Sequence, residues 1–339
     1  MQQLSYRGGG DLAIEPADPA PPAPGLVRVL VHSTGLCTSD VYGYAGVNDR
    51  RDVVLGPGDV LVMGHEISGH VEATGQPVAV NPIYGCGACA RCAAGDENLC
   101  ARRTVVGCAP AAPGGYADWV DVPPRALHPL PTGVSPEWGA LAEPLAVGAH
   151  GARLAAPRAG DRVLVVGGGI IGLGAALAAR RRGPDQVLVL EPNPRRRALA
   201  GRLGLEAAAP EDVLGAAGAD GTFDVAIDCV ARPETLDGAI AAVPPRGLVV
   251  LVGIWADHVP LDVSALVGRE TRLAGSYGYD GADFADVVAW IGRGEADLGA
   301  LIEHRVGFDG LVGAFEAYKN RELDAVRTLF QPRLDPTED

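Results

Sequence analysis

The pattern of hydrophobic positions changes near residue 160. Before that point, apolar runs typical of strands, such as Leu26–Val31, are separated by turns rich in proline, glycine and polar residues. From Gly160 onward, short apolar strands alternate with helical segments. Because parallel strands need helical crossovers, this alternation predicts a doubly wound parallel sheet with its ligand at the carboxyl ends of the strands.

The individual segments of the second half follow this alternation. The predicted strands are Val163–Val166, Val187–Leu190, Val225–Asp228 and Gly247–Val252. The predicted helices are Ile171–Arg182, Pro194–Leu203 and Pro233–Val243. The alternation stops around Gly275–Tyr279, after which we expect helices over Phe284–Arg293 and Leu311–Asn320 and a short strand near Leu329. A further helix, Trp138–Arg153, is expected to link the two halves of the chain.

A glycine-rich turn follows the first of these strands. Its glycines have the spacing G-x-G-x-x-G, in which the backbone N–H groups of a tight turn and of a helix N-terminus approach a pyrophosphate. The candidate cofactor-binding residues of this turn are Gly167, Gly169, Ile170, Ile171 and Gly172. Since a strand precedes the turn, a helix follows it and the next strand ends in an acidic residue, the pattern predicts a dinucleotide site.

That acidic residue is Glu191, 19 residues after Gly172. A carboxylate at this position binds the ribose hydroxyls of the adenosine half of NAD and repels the 2′-phosphate of NADP. Arg195, Arg196 and Arg197 follow closely. An arginine near the ribose can hold a 2′-phosphate, although all three also suit a solvated helix face. We take Arg196 as the candidate cofactor contact and expect NAD to be preferred because of Glu191.

Four of the seven cysteines lie within fifteen residues of one another. They are Cys86, Cys89, Cys92 and Cys100. Short polar loops between them allow four thiolates to surround one zinc ion tetrahedrally, and a site with four protein ligands and no open position is structural. We therefore expect a structural zinc lobe here. Cys108 and Cys229 are interpreted as small, buried hydrophobic side chains.

Other potential metal ligands are spread through the first half of the chain. Cys37 follows a predicted strand, Gly64-His65-Glu66 forms a tight glycine turn, and Glu143 lies in the predicted linking helix. Thiolate, imidazole and carboxylate suit a zinc ion that keeps an exchangeable position, as catalytic zinc requires. Asp40 is the natural acceptor for the far ring nitrogen of His65 and would fix its tautomer. Only the tertiary fold decides whether these groups converge.

Composition and charge limit the classes of partner. The 339 residues suit two domains, and 47% hydrophobic with 21% charged residues is typical of a globular protein with an ample core. A net charge of −14 argues against nucleic acid or anionic membrane as partner. No apolar run approaches the roughly 18 residues of a spanning helix, and the first residues lack a signal-peptide core. With an odd number of cysteines, this predicts a cytoplasmic protein containing thiols and metal rather than disulfides.

Taken in their order along the chain, these motifs resemble those of the zinc-dependent medium-chain dehydrogenases, and the resemblance covers nearly the whole chain. The Gly-His-Glu motif and Glu143-Pro144 are similar to those of the polyol, butanediol and threonine dehydrogenase branch. The resemblance implies an α/β protein with a GroES-like, β-rich catalytic domain and an inserted, doubly wound Rossmann domain. The catalytic domain is expected over 1–147 and 277–339, with its structural-zinc lobe at 86–100, and the Rossmann domain over 148–276.

The resemblance also implies roles for individual residues. Those that match the branch's catalytic zinc ligands are Cys37, His65, Glu66 and Glu143. Either glutamate binds the metal directly or through water. Ser39 matches the hydroxyl that passes the alcohol proton toward the ribose. Tyr42 and Tyr279 are candidate walls of the substrate pocket. Gly278 stands where sorbitol dehydrogenases typically carry an arginine, which disfavours a sorbitol-type substrate, and Gly275–Tyr279 is closer to the bacterial butanediol dehydrogenases.

The activity expected from this resemblance is hydride transfer from a diol- or polyol-like secondary alcohol to NAD, which gives a ketone. Two zinc ions per chain and a homodimer or homotetramer are expected with it. An alternative is an amino-alcohol or aminocyclitol substrate, with NADP as the less expected cofactor. Two hypotheses from other functional classes remain: a non-catalytic zinc protein that binds nucleotide, and a zinc-free reductase.

Overall fold

The chain divides into two compact units. The residues that the computed structural model describes are 1–45, 55–213, 221–254 and 259–334. One unit consists of Met1–Glu143 together with Asp280–Asp339, and the other is Pro144–Tyr279. Each unit has its own sheet and its own hydrophobic core.

The described residues form strands and helices along the whole chain. The strands, in chain order, are β1 (Gln2–Tyr6), β2 (Leu12–Pro16), β3 (Val27–Gly35), β4 (Leu61–Val62), β5 (Glu66–Val71), β6 (Pro77–Val80), β7 (Ile83–Tyr84), β8 (Thr104–Val105), β9 (Trp119–Val122), β10 (Leu127–Pro129), β11 (Arg162–Val166), β12 (Gln186–Leu190), β13 (Glu206–Ala208), β14 (Val225–Asp228), β15 (Leu248–Leu251), β16 (Arg272–Gly275), β17 (Ile302–Val306) and β18 (Arg327–Phe330). The helices are α1 (Thr38–Tyr44), α2 (Ala90–Ala93), α3 (Pro136–Ala140), α4 (Ala142–Ala155), α5 (Ile170–Arg180), α6 (Pro194–Arg202), α7 (Pro210–Val213), α8 (Pro233–Ala242), α9 (Val263–Arg269), α10 (Gly281–Arg293) and α11 (Phe308–Lys319).

In the first unit, β3 lies at the centre of a sheet in the order β10-β6-β5-β3-β18-β17, and β9 also pairs with β3. The strands β5, β9 and β18 all run antiparallel to β3. Val29 and Val31 of β3 are buried, because alternate side chains of a strand point to the same face. Smaller sheets, β2-β1-β4 and β7-β8, complete this unit in the described residues.

An aromatic cluster forms part of the core of the first unit. The ring of Tyr116 packs edge to face against Phe315 and Phe330, with ring centroids 5.5 and 6.0 Å apart. All three side chains are fully buried. Edge-to-face contacts are the arrangement that aromatic rings favour, so they hold each ring in one orientation. Packing therefore helps to fix the position of the Tyr116 ring.

The second unit is built around a parallel sheet in the order β13-β12-β11-β14-β15-β16. This is the strand order of the doubly wound dinucleotide-binding fold, and it confirms the parallel sheet predicted from the alternating pattern. Val163–Val165 of β11 are fully buried, which is typical of a strand covered on both faces. β13 and β16 match no predicted strand, because they are short and lack a run of branched apolar residues.

The predicted helix Trp138–Arg153 is instead two helices, α3 and α4. Pro144 has no N–H to donate to the carbonyl of Ala140, and its ring crowds that carbonyl. The chain therefore starts a new helix at Ala142, and Pro144 lies in its first turn, where N–H groups have no partner within the helix. Among the helices in the described ranges, none combines the length and the apolar character that crossing a bilayer requires.

Candidate active site

Strand register in the first unit brings distant residues together. β3 ends at Gly35, which lies opposite Glu66, the first residue of β5. Since the two strands are antiparallel, Cys37, just beyond β3, and His65, just before β5, come side by side. β18 begins at Arg327 and also runs antiparallel to β3, which brings this arginine to the same end of the sheet. The cluster thus depends on sheet pairing rather than on proximity in the sequence.

Cys37, His65 and Glu66 form the three-ligand cluster, in which one ligand atom of each lies within 4.8 Å of the others. His65 and Glu66 are buried and Cys37 is half-buried. The hydroxyl of Ser39 donates to Sγ of Cys37 at 3.0 Å. Thiolate, imidazole and carboxylate are ligands of catalytic zinc sites, which keep one position for water or substrate. The donor set therefore fits a zinc ion.

Asp40 supports this cluster from the first turn of α1, where it is fully buried. Its Oδ1 atom lies 3.4 Å from Nδ1 of His65. Its Oδ2 atom accepts a hydrogen bond from the hydroxyl of Tyr116 at 2.9 Å. The same hydroxyl is also 2.9 Å from the carbonyl oxygen of Gly35. Asp40 therefore stands between His65 and Tyr116.

Arg327 is the cationic partner of Glu66. Its Nη1 atom lies 3.1 Å from Oε1 of Glu66, and both side chains are at most 5% exposed. Nη1 also donates to the carbonyl oxygen of Leu36 at 2.5 Å. Gly35 leaves room for the carboxylate, because a Cβ at that position would collide with Oε2 of Glu66. Removing one partner of such a buried pair leaves the other charge uncompensated.

Burial and neighbouring charges shift the pKa values of two cluster residues. Burial by itself lowers the pKa of His65, but Asp40 and Cys37 outweigh it and raise this pKa well above its usual value. Burial raises the pKa of Glu66, and the guanidinium of Arg327 opposes that shift. The surroundings of His65 therefore favour positive charge. A divalent cation meets the same demand while the imidazole stays neutral, which metal ligation requires.

Three predicted site residues lie outside the three-ligand cluster. Glu143 is buried in the first turn of α4 and does not join the cluster among the described residues. Tyr42 lies on α1 with 48% of its surface exposed, whereas Tyr279 is buried. Of these two candidates for the pocket wall, Tyr42 is thus the one whose side chain reaches the surface.

The four predicted cysteines form a second cluster, the cysteine lobe. The Sγ atoms of Cys89 and Cys92 are 3.5 Å apart, those of Cys89 and Cys100 3.7 Å, and those of Cys86 and Cys92 4.0 Å. Four sulfur atoms about 2.3 Å from a tetrahedral zinc ion lie about 3.8 Å from one another. The spacing therefore fits zinc. No carboxylate or imidazole of the described residues joins this cluster.

Local turns and one arginine shape the cysteine lobe. Gly87 has a φ of +72°, in the left-handed region that favours glycine. Nη2 of Arg102 donates to Sγ of Cys86 at 3.2 Å, and its backbone N–H donates to Sγ of Cys100 at 3.3 Å. The backbone N–H of Ala88 lowers the pKa of Cys86. These donors favour thiolates, the form that binds metal.

In the second unit, the glycine-rich turn lies between β11 and α5. Gly167 has a φ of +103°, which favours glycine. A Cβ on Gly172 would collide with the carbonyl oxygen of Gly167, so this glycine lets α5 pack closely on the turn. A Cβ on Gly169 would meet no atom of the described residues within 4 Å. A phosphate therefore has room to approach the start of α5, which begins with Ile170 and Ile171.

Glu191 follows β12 and is buried beside this turn. Its Oε2 atom accepts a hydrogen bond from the backbone N–H of Gly168 at 2.8 Å. Its Oε1 atom accepts one from the backbone N–H of Asn193 at 2.9 Å. Two backbone donors thus orient the carboxylate next to the glycine turn.

The three arginines at the start of α6 have different surroundings. Nη1 of Arg197 donates to the carbonyl oxygens of Glu191 and Pro192, both at 2.7 Å, and so stabilises this turn. Arg195 is exposed and Arg196 is half-buried. The interpretation of Arg195, Arg196 and Arg197 as one solvated helix face therefore does not hold for all three residues.

Comparisons with known proteins add the family. The alcohol dehydrogenase GroES-like domain matches residues 23–132, and the zinc-binding dehydrogenase domain matches residues 171–293. A 2-dehydro-3-deoxy-L-galactonate 5-dehydrogenase from Pseudoalteromonas atlantica is 32% identical over 89% of this chain and 90% of its own length. The chain belongs to the zinc-dependent medium-chain dehydrogenases. Relatives that act on sugar acids, sorbitol and threonine confirm the predicted branch.

Solved structures of other dehydrogenases share this fold. A zinc-binding dehydrogenase from Sinorhizobium meliloti 1021 bound to NADP has a TM-score of 0.86 at 26% identity, covering 98% of this chain and 99% of its own. A protein described as a short chain alcohol dehydrogenase, from Escherichia coli CFT073 in complex with NADH, has the same TM-score, identity and coverage. The predicted combination of a GroES-like and a Rossmann domain is therefore confirmed, as is the class of zinc-dependent dehydrogenase.

Sequence reasoning missed two residues beside the three-ligand cluster of this dehydrogenase. Arg327 is 261 residues from Glu66, and the only signal is a lone arginine that opens the short strand β18. Tyr116 follows a pair of glycines and has the neighbours of an ordinary core residue. Neither its spacing nor its residue type links it to Asp40.

Proposed function

We propose that this dehydrogenase oxidises a secondary alcohol of a diol, polyol or sugar acid to a ketone, with NAD as the hydride acceptor and two zinc ions per chain. The observation that carries the proposal is the three-ligand cluster of Cys37, His65 and Glu66, with Ser39 against the thiol. A separate cysteine lobe with zinc-like sulfur spacing supports the second ion.

The catalytic roles follow from the contacts in the first unit. Cys37, His65 and Glu66 would hold the zinc ion, which when bound would supply a Lewis acid that favours loss of the alcohol proton. Ser39 would relay that proton toward solvent: its hydroxyl, 3.0 Å from Sγ of Cys37, would accept the proton as it gives up its own. The family resemblance assigns Glu143 to this centre, where it would act through water because it is not among the three clustered ligands. Asp40 holds the imidazole of His65 in place.

The cofactor roles belong to residues 148–276. The pyrophosphate of NAD binds at the turn before α5, where Gly169 leaves space for it. The ribose hydroxyls bind to Glu191, whose orientation two backbone N–H groups hold. Arg196 contacts the adenosine half. NAD supplies the hydride acceptor, and the carboxylate of Glu191 disfavours the 2′-phosphate of NADP.

The variant Glu191→Ala tests the preference for NAD. We expect kcat/KM for NADP relative to NAD to rise about 10- to 100-fold, because the change removes both a charged acceptor for ribose hydroxyls and a repulsive charge. Steady-state kinetics with both cofactors measures the ratio. Glu206→Ala is the matched control, since this exposed carboxylate of β13 pairs with Gln186 instead. A wild-type enzyme that already prefers NADP contradicts the assignment.

Two substrate classes have support. A relative at 32% identity is named for a sugar acid. The family resemblance also puts Gly278 where sorbitol dehydrogenases typically carry an arginine, which disfavours a sorbitol-type substrate. An L-threonine 3-dehydrogenase from Rhizobium johnstonii, 28% identical over 88% of this chain, supports an amino alcohol as the second candidate. NAD reduction across diols, polyols, sugar acids, threonine and aminocyclitols separates the two. The highest kcat/KM on threonine or on an aminocyclitol would reverse their order.

Metal content tests the remaining part of the proposal. About two zinc ions per chain are expected, because the two clusters use different residues. About one per chain would indicate a structural lobe without a catalytic ion. We also propose a homodimer or homotetramer, as in the family, which sedimentation tests against the 34.8 kDa of one chain.

A further inference from the structure

We propose that Tyr116 is a positioning residue for the metal centre. Its hydroxyl orients Asp40, and Asp40 in turn orients His65, so that the three-ligand cluster is formed before a metal arrives. This inference rests on the proposed zinc site. It assigns a role to Tyr116, whose hydroxyl bonds to Asp40 rather than to one of the three ligands.

The first step is the contact between the phenol and the carboxylate. Tyr116 and Asp40 are both fully buried, and the hydroxyl of Tyr116 donates to Oδ2 of Asp40 at 2.9 Å. A carboxylate that is removed from water is costly unless donors replace its hydration. A hydroxyl donor to a charged acceptor forms one of the stronger hydrogen bonds in proteins. The phenol therefore fixes one oxygen of Asp40.

The second step follows from the geometry of a carboxylate. Its two oxygens and its carbon are coplanar, so fixing Oδ2 restricts where Oδ1 of Asp40 lies. Oδ1 is the atom 3.4 Å from Nδ1 of His65. Acceptors of this kind set the tautomer and the ring orientation of a metal-binding histidine. Loss of the phenol would remove one of the contacts that set the rotation of the Asp40 side chain and so weaken that constraint on His65.

The third step is that Tyr116 is itself held in place independently of any metal. Its backbone N–H donates to the carbonyl of Met63 at 3.0 Å, and its carbonyl accepts from the backbone N–H of Leu4 at 2.7 Å. Its ring packs edge to face against Phe315 and Phe330.

These contacts tie Tyr116 to both ligand-bearing segments. Met63 is two residues before His65, and Gly35, whose carbonyl lies 2.9 Å from the phenol, is two residues before Cys37. A rigid phenol that touches both segments supplies the fixed reference that a preorganised metal site needs.

The test is the variant Tyr116→Phe, which removes the hydroxyl and keeps the ring. We expect the zinc affinity of the three-ligand site to fall about 10- to 100-fold, the usual cost of losing a partner of a ligand. Competition with a chromophoric chelator measures this on the full chain. The cysteine lobe is the internal reference, and its zinc should be retained. The d–d absorption of Co²⁺ at the three-ligand site should also change.

Tyr44→Phe is the matched control. Tyr44 belongs to the same core and packs edge to face on the same Phe315, but its hydroxyl donates to Glu316. We expect this variant to keep both zinc affinities and the Co²⁺ spectrum. A role of Tyr116 in packing alone would predict no difference between the two variants.

The double variant with Asp40→Asn tests whether Tyr116 acts through Asp40. If it does, Tyr116→Phe adds little to the loss caused by Asp40→Asn, because coupled residues are not additive. Additive losses, or wild-type affinity in Tyr116→Phe, overturn the inference. Should Tyr116→Phe fail to fold, Asp40→Asn alone remains decisive, and unchanged zinc affinity contradicts the chain of contacts. A wild-type enzyme that lacks the second zinc would instead contradict the proposed function.

Discussion

The three-ligand cluster and the cysteine lobe bring potential zinc ligands together by opposite routes. All four cysteines of the lobe come from fifteen consecutive residues, so local turns such as the one at Gly87 suffice. The three-ligand cluster instead needs the register in which Gly35 faces Glu66. The lobe therefore depends on local backbone geometry, whereas the other cluster depends on the sheet as a whole.

The two clusters also differ in their surroundings. In the lobe, the exposed Arg102 donates a hydrogen bond to the thiol of Cys86. The three-ligand cluster is largely buried and flanked by Asp40, Tyr116 and Arg327, all of them removed from solvent. Burial makes each of these partners matter more, because water cannot replace a lost contact. This contrast predicts that losing a ligand of the three-ligand cluster mainly affects chemistry, whereas losing a lobe cysteine, or a buried partner such as Arg327, affects stability.

The largest expected effect is the loss of turnover in Cys37→Ser or His65→Ala. We expect kcat/KM to fall at least about 10³-fold, since a Lewis acid contributes several kcal/mol to such a reaction. Thermal unfolding should stay close to wild type, because the cysteine lobe is intact. Kinetics and calorimetry on the same preparations measure both. Equal loss of folding in these variants and in the lobe variants below would remove the distinction.

The next effect is on folding, in Cys89→Ser of the lobe. We expect the free energy of unfolding to fall by about 4 kcal/mol or more, because loss of a structural metal is among the most destabilising changes. Turnover per folded molecule should be retained, and zinc content should drop by one. Cys108→Ser, outside both clusters, serves as the control. Full stability of Cys89→Ser would show that the lobe does not hold a structural ion.

A smaller effect is expected from Arg327→Met. With the three-ligand site free of zinc, the free energy of unfolding should fall by about 3–5 kcal/mol, because Glu66 would then be an uncompensated buried charge. Chemical denaturation measures the change. In contrast, Arg246→Met breaks an exposed pair with Glu270 and should cost about 1 kcal/mol or less. Equal losses in the two variants would mean that the pair with Glu66 is not what makes Arg327 important.

The smallest effect is expected from Arg102→Met in the lobe. Zinc release from the lobe to a chelator should become faster, because the variant loses a hydrogen bond to the thiolate of Cys86. The increase should be only roughly two- to fivefold, because solvent screens this exposed contact. Arg91→Met is the control, since Arg91 lies between two of the cysteines but pairs with Asp96. Release as slow as in wild type would show that Arg102 does not stabilise the thiolates.

Local patterns accounted for the fold class and for most of the second unit. Branched apolar runs predicted the inner strands β11, β12, β14 and β15, because strands covered on both faces need continuous hydrophobic side chains. The edge strands β13 and β16 were not predicted, because they are short and contain polar residues and alanine instead of a branched apolar run. The helical periodicity also did not predict the break between α3 and α4, although Pro144 indicates it.

The candidate site was predictable in its residue types but not in its arrangement. Cys37, His65 and Glu66 stood out as possible ligands, and the structure brings them together. Glu143 stood out equally, yet it lies outside the three-ligand cluster among the described residues. Arg327 and Tyr116 could not be predicted as site residues, because an arginine or a tyrosine points to a site only once its partner in the fold is known.

By itself, the sequence determined the features that depend on neighbouring residues: the glycine turn, the cysteine spacing and the alternation of strand and helix. Each of these is set by backbone geometry over a few residues. The tertiary structure alone decided which buried charges are paired and which hydroxyl reaches which carboxylate. Those contacts join residues far apart in the sequence, such as Glu66 and Arg327, which are 261 positions apart, and the tertiary fold alone brings them together.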